Sequence, residues 1–90
     1  IVYVESIKHR LDVHTISDTY SITSTLKAME EQLAGHDFFR SNSCYLVNLA
    51  HVRGVADQEC LMTGGDSLRI SRPRKKAFMT ALASFAGGIH

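Results

Sequence analysis

Phe38-Phe39-Arg40-Ser41-Asn42-Ser43-Cys44-Tyr45-Leu46-Val47-Asn48 sets one arginine and four small polar side chains between two apolar segments. The flanks read as extended chain: residues 38–40 start one piece, and residues 45–49 continue as an apolar run. A core strand has no need of such a polar knot. Its side chains are therefore candidates for work other than packing.

On either side the chain reads as short strands joined by tight turns. Residues 1–4 form a β-prone run, and Glu5-Ser6-Ile7-Lys8 is expected to break it. Residues 9–15 alternate, with Leu11, Val13 and Thr15 on one side and Arg10, Asp12 and His14 on the other, the period of a half-buried strand. Ser17-Asp18-Thr19 is turn material, and residues 20–23 return with Tyr20 and Ile22 on one face. Ser24 is the expected cap of a helix over residues 25–34, with Leu26, Met29 and Leu33 on its inner stripe, Lys27, Glu30 and Glu31 outside, and Gly35 at its end.

Downstream of the knot, residues 52–56 and 60–63 predict a hairpin across Asp57-Gln58-Glu59, and Gly64-Gly65-Asp66 turns into a strand over residues 67–70. Phe78, Ala81, Leu82 and Phe85 fall at i, i+3, i+4 and i+7, which predicts a helix over residues 73–85 capped by Ser71. The expected fold class is mainly β: small antiparallel sheets of short strands, one short helix and a C-terminal helix. A chain of 90 residues, 44% of them hydrophobic, has material for one core, so a single domain over residues 1–90 is expected.

Charge is unevenly placed. Residues 1–66 carry five basic and nine acidic side chains, a balance of −4, while residues 67–90 carry +5. Arg69, Arg72, Arg74, Lys75 and Lys76 supply all of that +5, which points to a polyanion at one end of the molecule. At the start of a helix those cations oppose the macrodipole, whereas a bound phosphate would be held by side chains and free backbone N–H groups together.

Other chemistries find little support. The five histidines stand in no nucleophile motif, and Gly64-Gly65 is too short for a phosphate loop, so no catalytic residue and no enzyme activity are expected. His9, His14, His36, His51, Cys44 and Cys60 match no zinc-binding spacing, so no metal and no cofactor are expected. His36-Asp37 reads as a solvated loop, and Cys44 and Cys60 as small buried thiols in strands. Two cysteines outside any Cys-x-x-Cys pair, with no export signal and no long apolar run, predict a reduced, cytoplasmic domain without membrane contact.

Nucleic-acid recognition suits the residue types that are left. Lys8, His9 and Arg10 lie in a loop at a strand start, Asn42 and Ser43 in the knot, and Arg72 at a strand-to-helix junction followed by Arg74, Lys75 and Lys76. Arginine can donate two hydrogen bonds to guanine, and lysine suits phosphate positioning. The ordinary reading of His9 or Asn42 taken alone is that it satisfies turn backbone.

Phe38 to Asn48 resembles the F-x-R-x-H-x-S-Y-x-V-N signature of the LytTR family, bacterial DNA-binding domains of response regulators. Val4-Glu5-Ser6 with His9-Arg10 upstream, and Ile70-Ser71-Arg72 with the basic helix downstream, resemble two further family motifs in the same order. The resemblance implies a LytTR-like β fold that reads DNA from loops at one edge, in two successive major grooves, with the knot on the backbone and minor groove between them and the DNA bent. Carried over by position, the contacts fall on His9 with Arg10, on Asn42 with Ser43, and on Arg72. Asn42 stands where the family most often has histidine, and Cys44 where it most often has serine, a better hydrogen-bond donor. The resemblance also implies a further strand before Ile1.

The expected function is sequence-specific binding of double-stranded DNA as the output domain of a bacterial transcription regulator. A receiver or sensor domain on the N-terminal side, and pairing on repeated promoter elements, are the implied partners. The alternative is a protein-interaction module with the same fold that does not bind DNA.

Overall fold

The computed structural model describes residues 1–87; the last three residues of the domain expected over residues 1–90 lie outside the described residues. Strand β1 (Tyr3–Ile7) is central in a five-stranded antiparallel sheet. It pairs with β2 (Arg10–His14) on one side and with β5 (Tyr45–Asn48) on the other. Outside these lie β3 (Thr19–Ile22) and β4 (Phe38–Arg40), giving the order β3-β2-β1-β5-β4. A second sheet is a meander of β6 (Val52–Ala56), β7 (Glu59–Met62) and β8 (Ser67–Arg69).

The period of two in β2 sorts the five-stranded sheet into two faces. Val4, Leu11, Val13 and Leu46 point to one face and are covered by Leu26 and Met29 of helix α1 (Leu26–Gln32). On the other face Tyr3 and Val47 join Cys60, Met62, Leu68, Ile70 and Phe78 in a second core, closed by helix α2 (Lys75–Gly87). Phe78 is fully buried and meets Phe39 edge to face at 5.8 Å, so the ring ties α2 to the five-stranded sheet. Truncating it to alanine would cost about 3–5 kcal/mol.

Several boundaries differ from the sequence expectation. β1 runs through Glu5, Ser6 and Ile7, where a break was expected, because Glu5 faces the open part of the sheet and its backbone is held by strands on both sides. The turn after β2 is Ile16-Ser17, closed by Thr15 N–H to the Asp18 carbonyl at 2.8 Å, so β3 starts at Thr19 and Thr15 leaves the strand. Thr25, not Ser24, caps α1: its backbone is extended and its hydroxyl accepts from Ala28 N–H at 3.1 Å.

The helix ends at Gln32, short of residue 34, and Gly35 takes a φ of +87°, open to glycine without strain. The β6–β7 turn holds Asp57 and Gln58 only, and Glu59 already pairs. A 3-10 turn over Leu49–His51 was not foreseen. The C-terminal helix is preceded by a 3-10 turn over Arg72–Arg74; Ser71 has cap-like backbone angles but makes no side-chain cap bond.

Candidate nucleic-acid interface

Three loops meet at one end of the five-stranded sheet. The first is the two-residue turn of the β1–β2 hairpin, where Ile7 pairs with Arg10 and Lys8 takes a φ of 54°. So tight a turn leaves Lys8, His9 and Arg10 exposed. Arg10 Nε lies 3.2 Å from the Asp12 carboxylate, which also accepts from the Ser21 hydroxyl at 2.8 Å. These bonds, first that from Ser21 and then that from Arg10, hold the Asp12 carboxyl below its usual range.

The second loop is the knot, which is fastened at every residue. Ser41 is fully buried, and its N–H donates to the Tyr45 carbonyl at 3.2 Å. Asn42 Oδ1 accepts from the N–H groups of Cys44 at 2.7 Å and Tyr45 at 3.0 Å, while Nδ2 donates to the Arg69 carbonyl at 3.0 Å. Arg40 turns inward, donating to the Ser43 carbonyl at 3.1 Å and standing 3.7 Å from Glu30 of α1. Ser43 and Cys44 are left exposed. The buried thiol expected at Cys44 is therefore corrected: Asn42 takes up the backbone of residue 44, outside the β5 ladder, and the side chain faces solvent.

The third loop is the junction from β8 to α2. Arg72, Arg74 and Lys76 are exposed, whereas Lys75 is half-buried and donates through Nζ to the carbonyl of Asp57 in the β6–β7 turn. Two backbone hydrogen bonds line the loops up. Ser6 N–H donates to the Cys44 carbonyl at 2.8 Å, and Ser71 N–H to the Ser41 carbonyl at 2.8 Å. The knot thus sits between the hairpin carrying His9 and the junction carrying Arg72.

Of the nine residues expected at a site, seven are exposed: Lys8, His9, Arg10, Ser43 and Arg72 in the three loops, and Arg74 and Lys76 just beyond the junction. Asn42 and Lys75 are half-buried, with polar atoms bonded inside the protein. Arg69, which sequence marks only as part of the basic run, is exposed beside them, its carbonyl bonded to Asn42. Ser41 and Ser71 were not foreseen as fasteners, because both act through backbone groups that every residue carries.

The opposite end of the sheet has a different character. Tyr3 stacks on His14 at 4.2 Å and donates to Asp66 at 3.0 Å; burial, and then that bond, push its phenol well above the usual range. His14 sits 3.2 Å from Glu5 and 3.2 Å from Thr19. Glu5, Asp12 and His14 are near enough to share a cation, yet each already has partners within the protein. The cleft at that end includes Asp18 and Asp66, a poor match for a polyanion. Among the described residues no helix is long and apolar enough to cross a membrane.

Comparison with known proteins agrees with this architecture. A family model described as the LytTr DNA-binding domain matches residues 1–83. Among solved structures the chain is similar to a LytTr DNA-binding domain from a Bacillus cereus protein described as a methyl-accepting/DNA response regulator. The TM-score is 0.81 at 20% identity, covering 91% of this chain and 80% of that one, a likeness of fold. No curated protein matches the sequence.

Proposed function

The chain belongs to the LytTR family of DNA-binding domains, and we propose that it binds double-stranded DNA sequence-specifically, reading major grooves from its three aligned loops instead of from a recognition helix. The observation that carries this reading is the pair of backbone bonds, Ser6 to Cys44 and Ser71 to Ser41, that hold two exposed basic loops on either side of the knot. His9, Arg10 and Lys8 enter one groove and Arg72 the next, where its guanidinium reads guanine. Ser43 meets the backbone between them, and Arg74 and Lys76 hold phosphates. Asn42 serves by keeping the knot in shape, and Lys75 by anchoring the start of α2 to the β6–β7 turn.

In this role the domain is the output module of a cytoplasmic bacterial transcription regulator, without catalysis, cofactor or membrane contact. A receiver or sensor domain on the N-terminal side, and a pair of copies on repeated promoter elements, complete the reading. One observation favours the rival, a protein-interaction module of the same fold: the Asn42 side chain makes three hydrogen bonds within the protein. Fluorescence anisotropy against promoter and random duplexes at two salt concentrations separates the two. Tighter, salt-dependent binding to promoter DNA supports the proposal, and no binding to either duplex defeats it.

A further inference from the structure

The five-stranded sheet ends on β3, and the outer edge of β3 differs from the other strand edges among the described residues. β4 and β8 are three residues long, and β6 carries a register shift between Val52 and Gly54 beside the exposed Arg53. Short length, charge and irregularity are the usual protections against pairing with another chain. β3, Thr19-Tyr20-Ser21-Ile22, has no charge, no proline and no shift, and all four residues are exposed.

Its backbone is available in a definite pattern. Val2 N–H donates to the His14 carbonyl at 2.7 Å, so the backbone of His14 faces the β1 side. The cross-strand partner of His14 is Thr19, whose N–H and C=O must then point away from β2; by alternation those of Ser21 do too. Tyr20 pairs with Val13 and Ile22 with Leu11, so both continue the apolar face covered by α1. That seven-residue helix stops short of them, leaving Tyr20 55% and Ile22 38% exposed.

We propose that β3 is a self-association edge, on which a second copy of this chain pairs antiparallel with Ser21 opposite Ser21 and Tyr20 of each copy against Ile22 of the other. In this register Ser21, whose backbone groups point outward, faces Ser21 and the pair can exchange both hydrogen bonds, while Thr19 falls opposite Thr23, the first residue past the strand. The two tyrosines and two isoleucines then meet on one face, between the two α1 helices. A one-residue slip would set Tyr20 opposite Ser21, whose side chains point to opposite faces. A two-residue slip one way would set Ile22 against the Asp18 carboxylate, and the other way would set Tyr20 against the polar Ser24. Parallel pairing would put the two apolar faces on opposite sides of the joint sheet.

An edge contact this small makes a weak dimer, formed mainly where two copies are already held close. Antiparallel pairing turns the two three-loop ends in opposite directions. Resting on the DNA-binding reading, the dimer then joins two DNA elements across a loop or sharp bend instead of lying along one straight stretch.

Cross-linking tests the register in a Cys44→Ser background, where the remaining Cys60 is buried. Ser21→Cys should oxidise to a disulfide dimer, because residues in a hydrogen-bonded pair sit about 5.5 Å apart, within disulfide reach. Thr19→Cys alone should not, and Thr19→Cys with Thr23→Cys should. In sedimentation equilibrium the average mass of the 90-residue chain should climb from one copy toward two as concentration rises. Ser21→Pro removes the outward N–H together with the hydroxyl bond to Asp12, and Ser21→Ala removes the hydroxyl bond alone. Ser21→Pro and Tyr20→Glu should both hold the mass at one copy with unchanged circular dichroism, while Ser21→Ala should still associate.

A mass fixed at one copy throughout, or Ser21→Cys cross-linking no faster than an exposed Ser67→Cys control, overturns the proposal. DNA is tested separately by capture of a labelled duplex on a bead-bound one. Bridging lost in Tyr20→Glu while single-duplex binding persists supports the joining role. A dimer that does not bridge overturns that role alone, and absence of any duplex binding overturns the DNA reading instead.

Discussion

The backbone N–H of Ser71 donates to the carbonyl of Ser41 at 2.8 Å, which fastens the residue before Arg72 to the residue before Asn42. Ser41 is fully buried, so the bond is shielded from competing water. Through it the exit of the small sheet takes its position from the knot of the large one. The position of Arg72 is therefore set by partners distant in sequence.

For Arg72→Ala we expect unchanged stability and a loss of about 1–3 kcal/mol in binding to the specific duplex, with binding to random DNA little altered. Anisotropy against both duplexes measures it. Equal losses on the two would remove Arg72 from base reading.

Lys75 and Lys76 are neighbours in sequence but should behave differently. Lys76 is exposed, so Lys76→Ala should lower the log–log salt slope by about one unit. Lys75 is bonded to the Asp57 carbonyl, so Lys75→Ala should change the slope less and the melting temperature more. Identical salt slopes for the two variants would contradict this division of roles.

Asn42→Ala removes three hydrogen bonds from the knot and should cost about 1–3 kcal/mol in urea unfolding, because half-buried backbone groups lose their partners. Asn42→Asp keeps the acceptor but loses the donor to the Arg69 carbonyl, and it brings negative charge to the proposed interface. It should fold better than Asn42→Ala and bind DNA worse. If both variants keep wild-type stability, the side chain does not hold the loop.

The two cysteines should label unequally. Cys44 is exposed at the knot, whereas Cys60 is fully buried and its thiol is pushed up to about 11, chiefly by burial. A maleimide should modify Cys44 in the folded protein and weaken DNA binding, bound DNA should slow that labelling, and Cys60 should react only on unfolding. Mass spectrometry reads each step, and labelling of Cys44 without effect on affinity would place the knot outside the interface.

Acid stability offers a test of the polar face. The Asp12 carboxyl is held low by Ser21 first and Arg10 next. A depressed folded value means stabilisation that is present above the unfolded carboxylate pKa and lost as pH falls through the folded one. Ser21→Ala should therefore be less stable than wild type near neutrality and should converge with it in acid. Melting temperatures from about pH 7 down to about pH 2 measure this, and curves that stay parallel would exclude Asp12 as the cause.

Strict alternation made β2 readable, and the 3.6-residue stripe of Phe78, Ala81, Leu82 and Phe85 did the same for α2. Glu5 and Ser6 look like breakers in sequence, whereas in the folded chain neighbouring strands take up their backbone and β1 runs on to Ile7. Polarity marks the knot in sequence but cannot separate Asn42, whose side chain is bonded inward, from Ser43, whose side chain is exposed. Nor could it show Cys44 exposed, since that follows from a backbone bond to Asn42. Alignment of the three loops was least visible, because it rests on Ser6, Ser41 and Ser71 acting through backbone alone.

The edge-to-face contact of Phe39 with Phe78 joins the large sheet to α2 within the second core. If the outer loops enter separate grooves, the interval between them is a caliper whose hinge is this aromatic pair. On the proposed reading a close-packed core keeps the jaws at one spacing, and the DNA bends to meet them. A smaller side chain at Phe78 would then alter which operator spacing is preferred before it altered which bases are read.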